Sequence, residues 1–360
     1  MKIFYKKLRL LIEKLFVSEA EKKQFLIIFG GHIFFQTVYA ALKLDVFTLL
    51  ADHKKMTLEE IASALNIEHK PARILMMGLV TIDIVKKKGQ YYYNSRIASA
   101  RLNRKSPRNL IRYFDMQHHI YYRGIPHYYE SIKQNKNVGV EAFGGADGRG
   151  NTLYERLAYE EDVQQIFQDA MHEISVTANE DLVDYINLTD RKLIVDIGGG
   201  DGTNLIQLCN HFPNLRGVVF DLPITGNITE PNIKAHQLSE RIEFVGGDCF
   251  KDPLPKGADT FLLSHFCTIW SPEDNQRLYR NIYDALPKGG QIIIFNQMMN
   301  NNEDGPVVAA IGSPYFLTIA TGEGMLYTWK EYQEWLKMAG FKNVTTKKLP
   351  TWHGVMIGEK

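Results

Sequence analysis

Apolar and polar positions follow two different patterns along the chain, and the change falls near residue 190. In the first part, apolar residues recur at helical spacing, as at Leu58, Ile61 and Leu65. The second part alternates polar, helix-length segments with short β-rich runs, which are KLIVDIG, RGVVFDLP, IEFVGGD, DTFLLSH and QIIIFNQ. This alternation predicts an α/β domain with a mixed, mostly parallel sheet, in which ligands bind beyond the carboxyl ends of the strands.

The segment before residue 110 contains the elements of a winged helix. Thr57 and Glu60 have the spacing of a capping box at the start of the helix MTLEEIASALNI. A second helix, PARILMMGLVTID, is predicted to begin at Pro71, because proline is favoured at the first helical position. The run IVKKKGQYYYN then predicts a small hairpin that turns at Lys88-Gly89.

A winged helix either binds DNA or serves as a scaffold that pairs subunits. The middle of the second helix, ILMMGLVTI, is too apolar for a major groove, and only Arg73 and Lys70 are available to contact phosphates or bases. The three lysines at 86–88 are those of a solvated turn. We therefore expect a scaffold that pairs subunits and no nucleic-acid partner.

The apolar run at residues 25–42 is nearly long enough to span a bilayer. His32, Gln36 and Thr37 interrupt it, and no small-residue cleavage site follows. A buried or partner-facing helix is the better interpretation, so we expect no membrane partner.

The composition is that of a globular protein without a strong overall charge. Hydrophobic residues make up 45%, charged residues 23%, and the formal net charge is +1. Cys209, Cys249 and Cys267 lack CxxC spacing, which argues against a disulfide framework and a zinc site. These features favour a cytoplasmic protein.

The stretch VDIGGGDGTN carries the most specific signal in the chain. Asp196 ends a predicted strand, Gly198, Gly200 and Gly202 alternate, and a helix is predicted to begin near Thr203. The spacing is DxGxGxG, whereas the dinucleotide fingerprint is GxGxxG. A tight turn beside a carboxylate repels a phosphate and suits a cationic nucleoside that bears an amino acid, which is S-adenosyl-L-methionine.

Two more carboxylates follow the next two predicted strands. Asp221 is placed to bind both ribose hydroxyls, and Asp248 is placed to accept a hydrogen bond from the adenine amino group. Three acids at three successive strand ends, together with the glycine turn, predict one cofactor site.

The motifs DIGGGDG, FDLP, GDCF, WSPE, ALPKGG and EWLKMAGF resemble those of small-molecule O-methyltransferases of the caffeic-acid and acetylserotonin type, which include bacterial polyketide-tailoring members. The resemblance covers nearly the whole chain. It implies a Rossmann-like class I methyltransferase sheet at residues 186–360, a helical linker with substrate-pocket helices at 111–185, and a winged-helix dimerisation domain at 1–110. It also implies a homodimer and a small-molecule substrate. The cofactor positions that it implies are Gly198, Gly200, Asp221, Asp248, Cys249 and Ser264.

The resemblance breaks at the acid–base residues of the family. The plant enzymes carry a His-Asp-Trp triplet; aligned on Trp270, the histidine position holds Thr268. The positions of the two supporting glutamates hold Asn296 and Leu326. Because threonine is far too weak a base near neutral pH, we expect an acceptor that is acidic or intrinsically nucleophilic, methylated on O, C or N.

His265 is the residue nearest to the missing base. Strand alternation in FLLSHFC puts it on the face opposite to Ser264 and Phe266, so we expect a structural histidine.

The aromatic segment at residues 112–132 and the loop at 313–329 are predicted to surround the acceptor. His118 and His119 are the remaining candidates for a base, and Glu323 is a reserve acid–base group. We expect no metal site at these histidines. Gly322 and Gly324 are expected to let the loop move, and residues 139–151 to form a hinge or lid. The predicted pocket residues are Phe114, His118, Tyr121, Tyr122, Thr268, Asn296, Tyr315, Phe316 and Met325.

One alternative is an enzyme of the same fold that binds S-adenosyl-L-methionine but runs pericyclase-like or hydroxylase-like chemistry. Another is a DNA-binding or purely scaffolding protein that kept the fold.

Overall fold

The computed structural model describes residues 17–144, 150–350 and 353–360. These residues divide into two compact units, and the division falls after Asp115. The predicted linker 111–185 is therefore split, since its first five residues belong to the first unit. Within the predicted hinge or lid at 139–151, residues 145–149 lie outside the described residues.

The first unit is helical with one hairpin, as the sequence pattern predicts. Its strands are β1 (Val85–Lys88) and β2 (Tyr91–Asn94). Its helices are Glu19–Phe29, Gly31–Lys43, Val46–His53, Leu58–Ala64, His69–Thr81, Arg96–Arg101 and Ile111–Met116, the last of which reaches one residue past the division.

The two predicted helices and the hairpin form with small shifts in their ends. The capping box is present, because the Glu60 amide donates to Thr57 Oγ1 at 3.3 Å and the Thr57 amide donates to Glu60 Oε2 at 2.8 Å. The second helix begins at His69 and not at Pro71, so the proline lies within the first helical turn. It is tolerated there because amides in the first turn have no intrahelical acceptor, and no hydrogen bond is lost. The hairpin turns one residue later than predicted, at Gly89 and Gln90.

The apolar run at 25–42 is not one helix. It is divided at Gly30 into the helices Glu19–Phe29 and Gly31–Lys43, which are bent by 70°. Among the described residues, no single helix has the length and apolar character to cross a bilayer, although this bent pair passes that test by length and composition.

The second unit contains a seven-stranded sheet in the order β5-β4-β3-β6-β7-β9-β8. The first five strands of this unit run parallel, and β9 is antiparallel to both β7 and β8. The strands are β3 (Leu193–Ile197), β4 (Arg216–Asp221), β5 (Ile242–Gly246), β6 (Thr260–Ser264), β7 (Gln291–Gln297), β8 (Lys342–Lys348) and β9 (His353–Glu359). The five predicted strands are confirmed, and the order reverses between β3 and β6, where open α/β sheets bind ligands.

Helical segments before and between the strands complete the second unit. The α-helices are Tyr122–Gly124, Tyr128–Gln134, Leu153–Leu157, Glu161–Tyr185, Thr203–His211, Gly226–Ala235, Pro272–Ala285, Val307–Thr318 and Trp329–Ala339. The 3₁₀ segments are Ile125–His127, Val138–Ala142, Pro223–Thr225 and Cys267–Ile269, and Gln117–Tyr121 is a π-helix. We call Glu161–Tyr185 the long helix.

Both faces of the sheet are buried. Val195 and Ile197 of β3 belong to one hydrophobic cluster, with Tyr279 and Trp335 of the helices that cover that face. Ile194 belongs to a second cluster, with Leu182 of the long helix. Burial on both sides explains why these strands are nearly continuous apolar runs.

Candidate cofactor and substrate site

The glycine turn follows β3 at the edge of the sheet where the parallel strands end. Gly198, Gly200 and Gly202 have φ angles of +69°, +57° and +81°, in the left-handed region that side chains disfavour. A Cβ on Gly198 would also collide with the ring of Phe266. The backbone path of the turn therefore requires glycine.

Asp221, the last residue of β4, holds this turn. The Gly200 amide donates to Asp221 Oδ2 at 2.9 Å, and the Leu222 amide donates to Oδ1 at 2.7 Å. Burial raises the pKa of Asp221, while these two amides act in the opposite direction. No atom outside the immediate neighbours lies within 4 Å of a Cβ position on Gly200, so this side of the turn is open to a ligand.

Asp248 follows β5 at the same edge. Its Oδ1 accepts from the Phe250 amide at 2.9 Å, and its Oδ2 lies 2.8 Å from Nζ of Lys251. Burial acts to raise the pKa of Asp248, but Lys251 and the Phe250 amide outweigh it and hold the pKa below its usual range. Cys249 beside it is 9% exposed. The contact between Asp248 and adenine stays a prediction.

The structure places Asp196 under the turn and not in the open cleft. Its side chain is 0% exposed, and Oδ2 accepts from Asn204 Nδ2 at 2.9 Å. A Cβ on Gly199 would lie 2.7 Å from Asp196 Oδ2, so the turn rests directly on the carboxylate. Asp196 belongs to the support of the cofactor site.

Two contacts beside the turn were missed by sequence reasoning. Nδ1 of His172 lies 2.7 Å from Asp201 Oδ2 and 3.1 Å from Thr203 Oγ1. The hydrogen bond with Asp201 raises the pKa of His172. His172 is on the long helix, well before the glycine motif, and no local pattern marks it.

The residues that we expect from the sequence at the positions of the family's acid–base groups are buried, and none of their side chains titrates near neutral pH. Thr268, Asn296 and Leu326 are 4%, 0% and 2% exposed. Gly324 packs on the backbone of Thr268 and Ile269, where a Cβ would collide. The glycine is required for this close approach, and the expectation that Gly324 lets the loop move stays a prediction.

His265 is half-buried and contacts a second histidine. Its Nε2 lies 2.8 Å from His353 Nε2, and its ring meets Phe295 edge to face. Burial, with His353 adding to it, lowers the pKa of His265 to about 3. A group of such low basicity is a poor general base. The argument from alternation fails in detail, since β6 ends at Ser264 and His265 has φ +54°.

The aromatic segment does not keep one α-helical register. The π-helix Gln117–Tyr121 buries Tyr121, which stacks on Tyr315 with ring centroids 4.9 Å apart. Tyr122 is 37% exposed and stacks on His118 at 6.1 Å. Of the two tyrosines predicted on one helical face, only Tyr121 therefore stacks on Tyr315, while Tyr122 stacks on His118.

Other predicted pocket residues divide between the two units. Phe114 belongs to the first unit, where it stacks on Phe35 at 5.7 Å. Phe316 packs edge to face on Tyr315, and the Tyr315 hydroxyl lies close enough to Tyr154 to influence its pKa. Tyr154 is a residue that sequence reasoning missed. Met325 is 37% exposed. Tyr121, Tyr154, Tyr315 and Phe316 therefore form an aromatic cluster within the second unit.

The three candidate acid–base residues are the neighbours His118 and His119 and, separately, Glu323. His118 and His119 lie edge to face, with ring centroids 4.8 Å apart. Burial, followed by the charge of Asp274, raises the pKa of Glu323. In the described parts of the chain, no group of three His, Cys, Asp or Glu side chains is placed to hold a metal ion.

Comparison with known proteins identifies the family. A family model described as an O-methyltransferase domain matches residues 127–342, and one described as an O-methyltransferase dimerisation domain matches residues 26–104. The chain belongs to this O-methyltransferase family. It is a methyltransferase that depends on S-adenosyl-L-methionine.

Named relatives extend the range of chemistry found in this O-methyltransferase family. An L-tyrosine C(3)-methyltransferase from Streptomyces lavendulae is 34% identical over 93% of this chain and 91% of its own. The crystal structure of the S-adenosylmethionine-dependent methyltransferase SibL has a TM-score of 0.83 at 31% identity, over 93% of this chain and 98% of that one. The human N-acetylserotonin methyltransferase, solved with the cofactor, shares the fold with a TM-score of 0.80 at 23% identity, over 96% and 99%. The named relatives support methyl transfer over pericyclase-like or hydroxylase-like chemistry.

The residues of this family member fit the cofactor. The open side of Gly200, the carboxylate of Asp221 and the acid at Asp248 line one edge of the sheet. A carboxylate has four lone-pair sites, and Asp221 uses three of them to accept from the Gly200 amide, the Leu222 amide and the Thr225 hydroxyl. One site on Oδ2 stays open to a ligand hydroxyl.

Replacement of His265 by alanine is expected to lower thermal stability while turnover stays within about tenfold of wild type. The physical reason is the loss of the buried contacts with His353 and Phe295. Thermal denaturation and steady-state rates measure the two effects. His265→Asn is the matched variant, because asparagine tolerates the left-handed backbone. A rate loss above about 10²-fold in both folded variants would make His265 the base after all.

Proposed function

We propose that this enzyme transfers a methyl group to a ring carbon of a small phenol with an amino-acid side chain, of which L-tyrosine is the simplest. The single observation that carries the proposal is that Thr268, Asn296 and Leu326 are buried and have no titrating group near neutral pH. We expect these three residues at the positions of the family's base and its two supports. The relative whose name specifies methylation of C3 of L-tyrosine supports the choice of carbon.

Carbon methylation suits a site without a base. A phenol hydroxyl has a pKa near 10 and must lose its proton before or during attack by oxygen. The carbon next to that hydroxyl attacks the methyl carbon with its ring electrons, and the methyl–sulfur bond breaks with its electron pair left on the sulfur of S-adenosylhomocysteine. The resulting ring cation is a strong acid, so it passes its ring proton to a solvent water after the new carbon–carbon bond has formed, and no protein base is needed. S-adenosyl-L-methionine, when bound, supplies a methyl group on a positively charged sulfur.

The chain's own residues then have to hold the ring and exclude water. Tyr121, Tyr315 and Phe316 pack on one another in stacked and edge-to-face contacts, and we propose that this cluster forms the wall against which an aromatic acceptor is aligned. Positioning at near-attack distance supplies much of the rate gain without proton transfer. The attacking ring carbon has only to be held in line with the bond between the methyl carbon and the sulfur of the cofactor.

The second candidate is O-methylation of an acidic phenol, which the family model favours by its description. An acidic phenol is already ionised near neutral pH, so it also needs no base.

Ring-deuterated L-tyrosine separates the two reactions. Methylation of a ring carbon expels one deuterium from the position next to the hydroxyl, whereas O-methylation retains both. We expect S-adenosylhomocysteine formation with loss of one deuterium, detected by mass spectrometry, and no turnover of L-phenylalanine. Retention of both deuteriums in the methylated product would contradict carbon methylation. Turnover of simple phenols without turnover of tyrosine would contradict the amino-acid acceptor.

We also propose a homodimer formed through the first unit. The helices Glu19–Phe29 and Gly31–Lys43 expose Phe25, Phe29 and Ile33 by 66%, 73% and 60%. Exposed apolar surface on this scale is typical of a protein interface. It overlaps the segment that matches the dimerisation model.

Replacement of both Phe25 and Phe29 by glutamate is expected to shift the protein from dimer to monomer in analytical ultracentrifugation, because buried charges oppose an apolar contact. Met338→Glu, at a residue 67% exposed in the second unit, is the control and should leave the dimer intact. A dimer that persists in the double variant at micromolar concentration would place the interface elsewhere.

A further inference from the structure

The carboxylate of Asp196 is held by a single side chain. It is 0% exposed, and its Oδ2 accepts from Asn204 Nδ2 at 2.9 Å. Its Oδ1 has no hydrogen-bond partner among the described residues. A buried carboxylate with so few donors is costly, so the one donor that it has carries unusual weight.

Asn204 is itself held by the long helix. Its Oδ1 accepts from Asn179 Nδ2 at 2.7 Å, and the two side-chain amides are 1% exposed at Asn179 and 6% at Asn204. Above the pKa of Asp196 the direction of this chain is fixed, because an ionised carboxylate only accepts. Asn204 must turn its amide nitrogen to Asp196, which leaves its oxygen for Asn179.

The carboxylate in turn supports the backbone of the cofactor turn. A Cβ on Gly199 would lie 2.7 Å from Asp196 Oδ2 and 3.0 Å from Cγ, so the turn and the carboxylate are in direct contact. The next residue, Gly200, bonds to Asp221. A shift of the Asp196 carboxylate therefore displaces the part of the turn that faces the open side.

We propose that Asn179 and Asn204 are positioning residues for the cofactor: an amide relay from the long helix holds the Asp196 carboxylate under Gly199 and so sets the affinity of the turn for S-adenosyl-L-methionine. Neither amide touches the open side of the turn. The relay acts only through Asp196.

The charge on Asp196 depends on the same relay. Burial raises the pKa of Asp196 to about 7, the hydrogen bond from Asn204 lowers it, and the charges of Asp221 and Asp201 raise it. The carboxylate is ionised above that pKa, where it attracts a cationic ligand. Replacement of Asn204 removes the hydrogen bond that lowers the pKa of Asp196. The pH above which the protein binds the cationic cofactor therefore moves upward.

The test measures binding of S-adenosylhomocysteine to the cofactor-free dimer by isothermal titration calorimetry. Asn204→Leu removes a bond to a charged group and is expected to weaken binding by about tenfold. Asn179→Leu removes a bond between neutral amides and is expected to weaken it by about threefold. The double variant should resemble Asn204→Leu alone, because Asn179 has no route to Asp196 once Asn204 is gone.

Two further readouts distinguish positioning from general stability. At saturating cofactor, kcat should stay within about threefold of wild type while KM for the cofactor rises. Binding of S-adenosyl-L-methionine should show its pH midpoint shifted upward in Asn204→Leu.

Gln291→Leu is the matched control. Gln291 is a buried amide, 6% exposed, and it is the first residue of β7. It therefore lies where the parallel strands begin, away from the glycine turn at their other ends. The substitution should lower thermal stability and leave cofactor binding unchanged. Additive effects in the double variant, or unchanged binding in Asn204→Leu, would overturn the relay. If Asn204→Leu does not fold, Asn179→Leu decides alone, and unchanged binding in that variant overturns the proposal.

Discussion

The hydrogen bond between the Gly200 amide and the Asp221 carboxylate connects the glycine turn to the neighbouring strand. It can form only because the turn runs through left-handed conformations that glycine alone adopts readily, and because β3 and β4 are parallel and end at one edge. The turn rests on the buried Asp196 below and leaves the side of Gly200 open. A binding surface for a cationic nucleoside follows from these few backbone constraints.

Much of the fold follows from local pattern. The five apolar runs after residue 190 could only be strands of a doubly covered sheet, and the capping box at Thr57 fixes a helix start by its own side chains. The last two strands escaped prediction. β8 is polar and largely exposed, so it lacks the apolar run that marks a buried strand, and β9 is recognisable only through its pairing with β7.

The positions of site residues could be predicted where these residues lie at the ends of strands. They were harder to predict where contacts between distant parts of the chain determine the burial and orientation of a side chain. Asp221 and Asp248 lie at the expected edge, whereas the burial of Asp196 depends on Asn204 and on packing that no spacing reveals. The π-helix separates Tyr121, which stacks on Tyr315, from Tyr122, although an α-helical count puts both on one face. The left-handed backbone of His265 likewise ends the alternation of side chains between the two faces of the strand, on which the prediction for this residue rested. We propose an acceptor that supplies its own reactivity, because Thr268, the residue expected at the family's base position, is buried and does not titrate.

The most direct test of this account is calorimetric titration of S-adenosylhomocysteine into wild type and Asp221→Asn. Asparagine keeps the shape of the side chain but removes the charge and one acceptor oxygen, both of which the turn and the ligand hydroxyls use. The account predicts binding to wild type and a loss of about 30-fold or more in the variant. Equal affinity in the two proteins, or no binding to either, would contradict it.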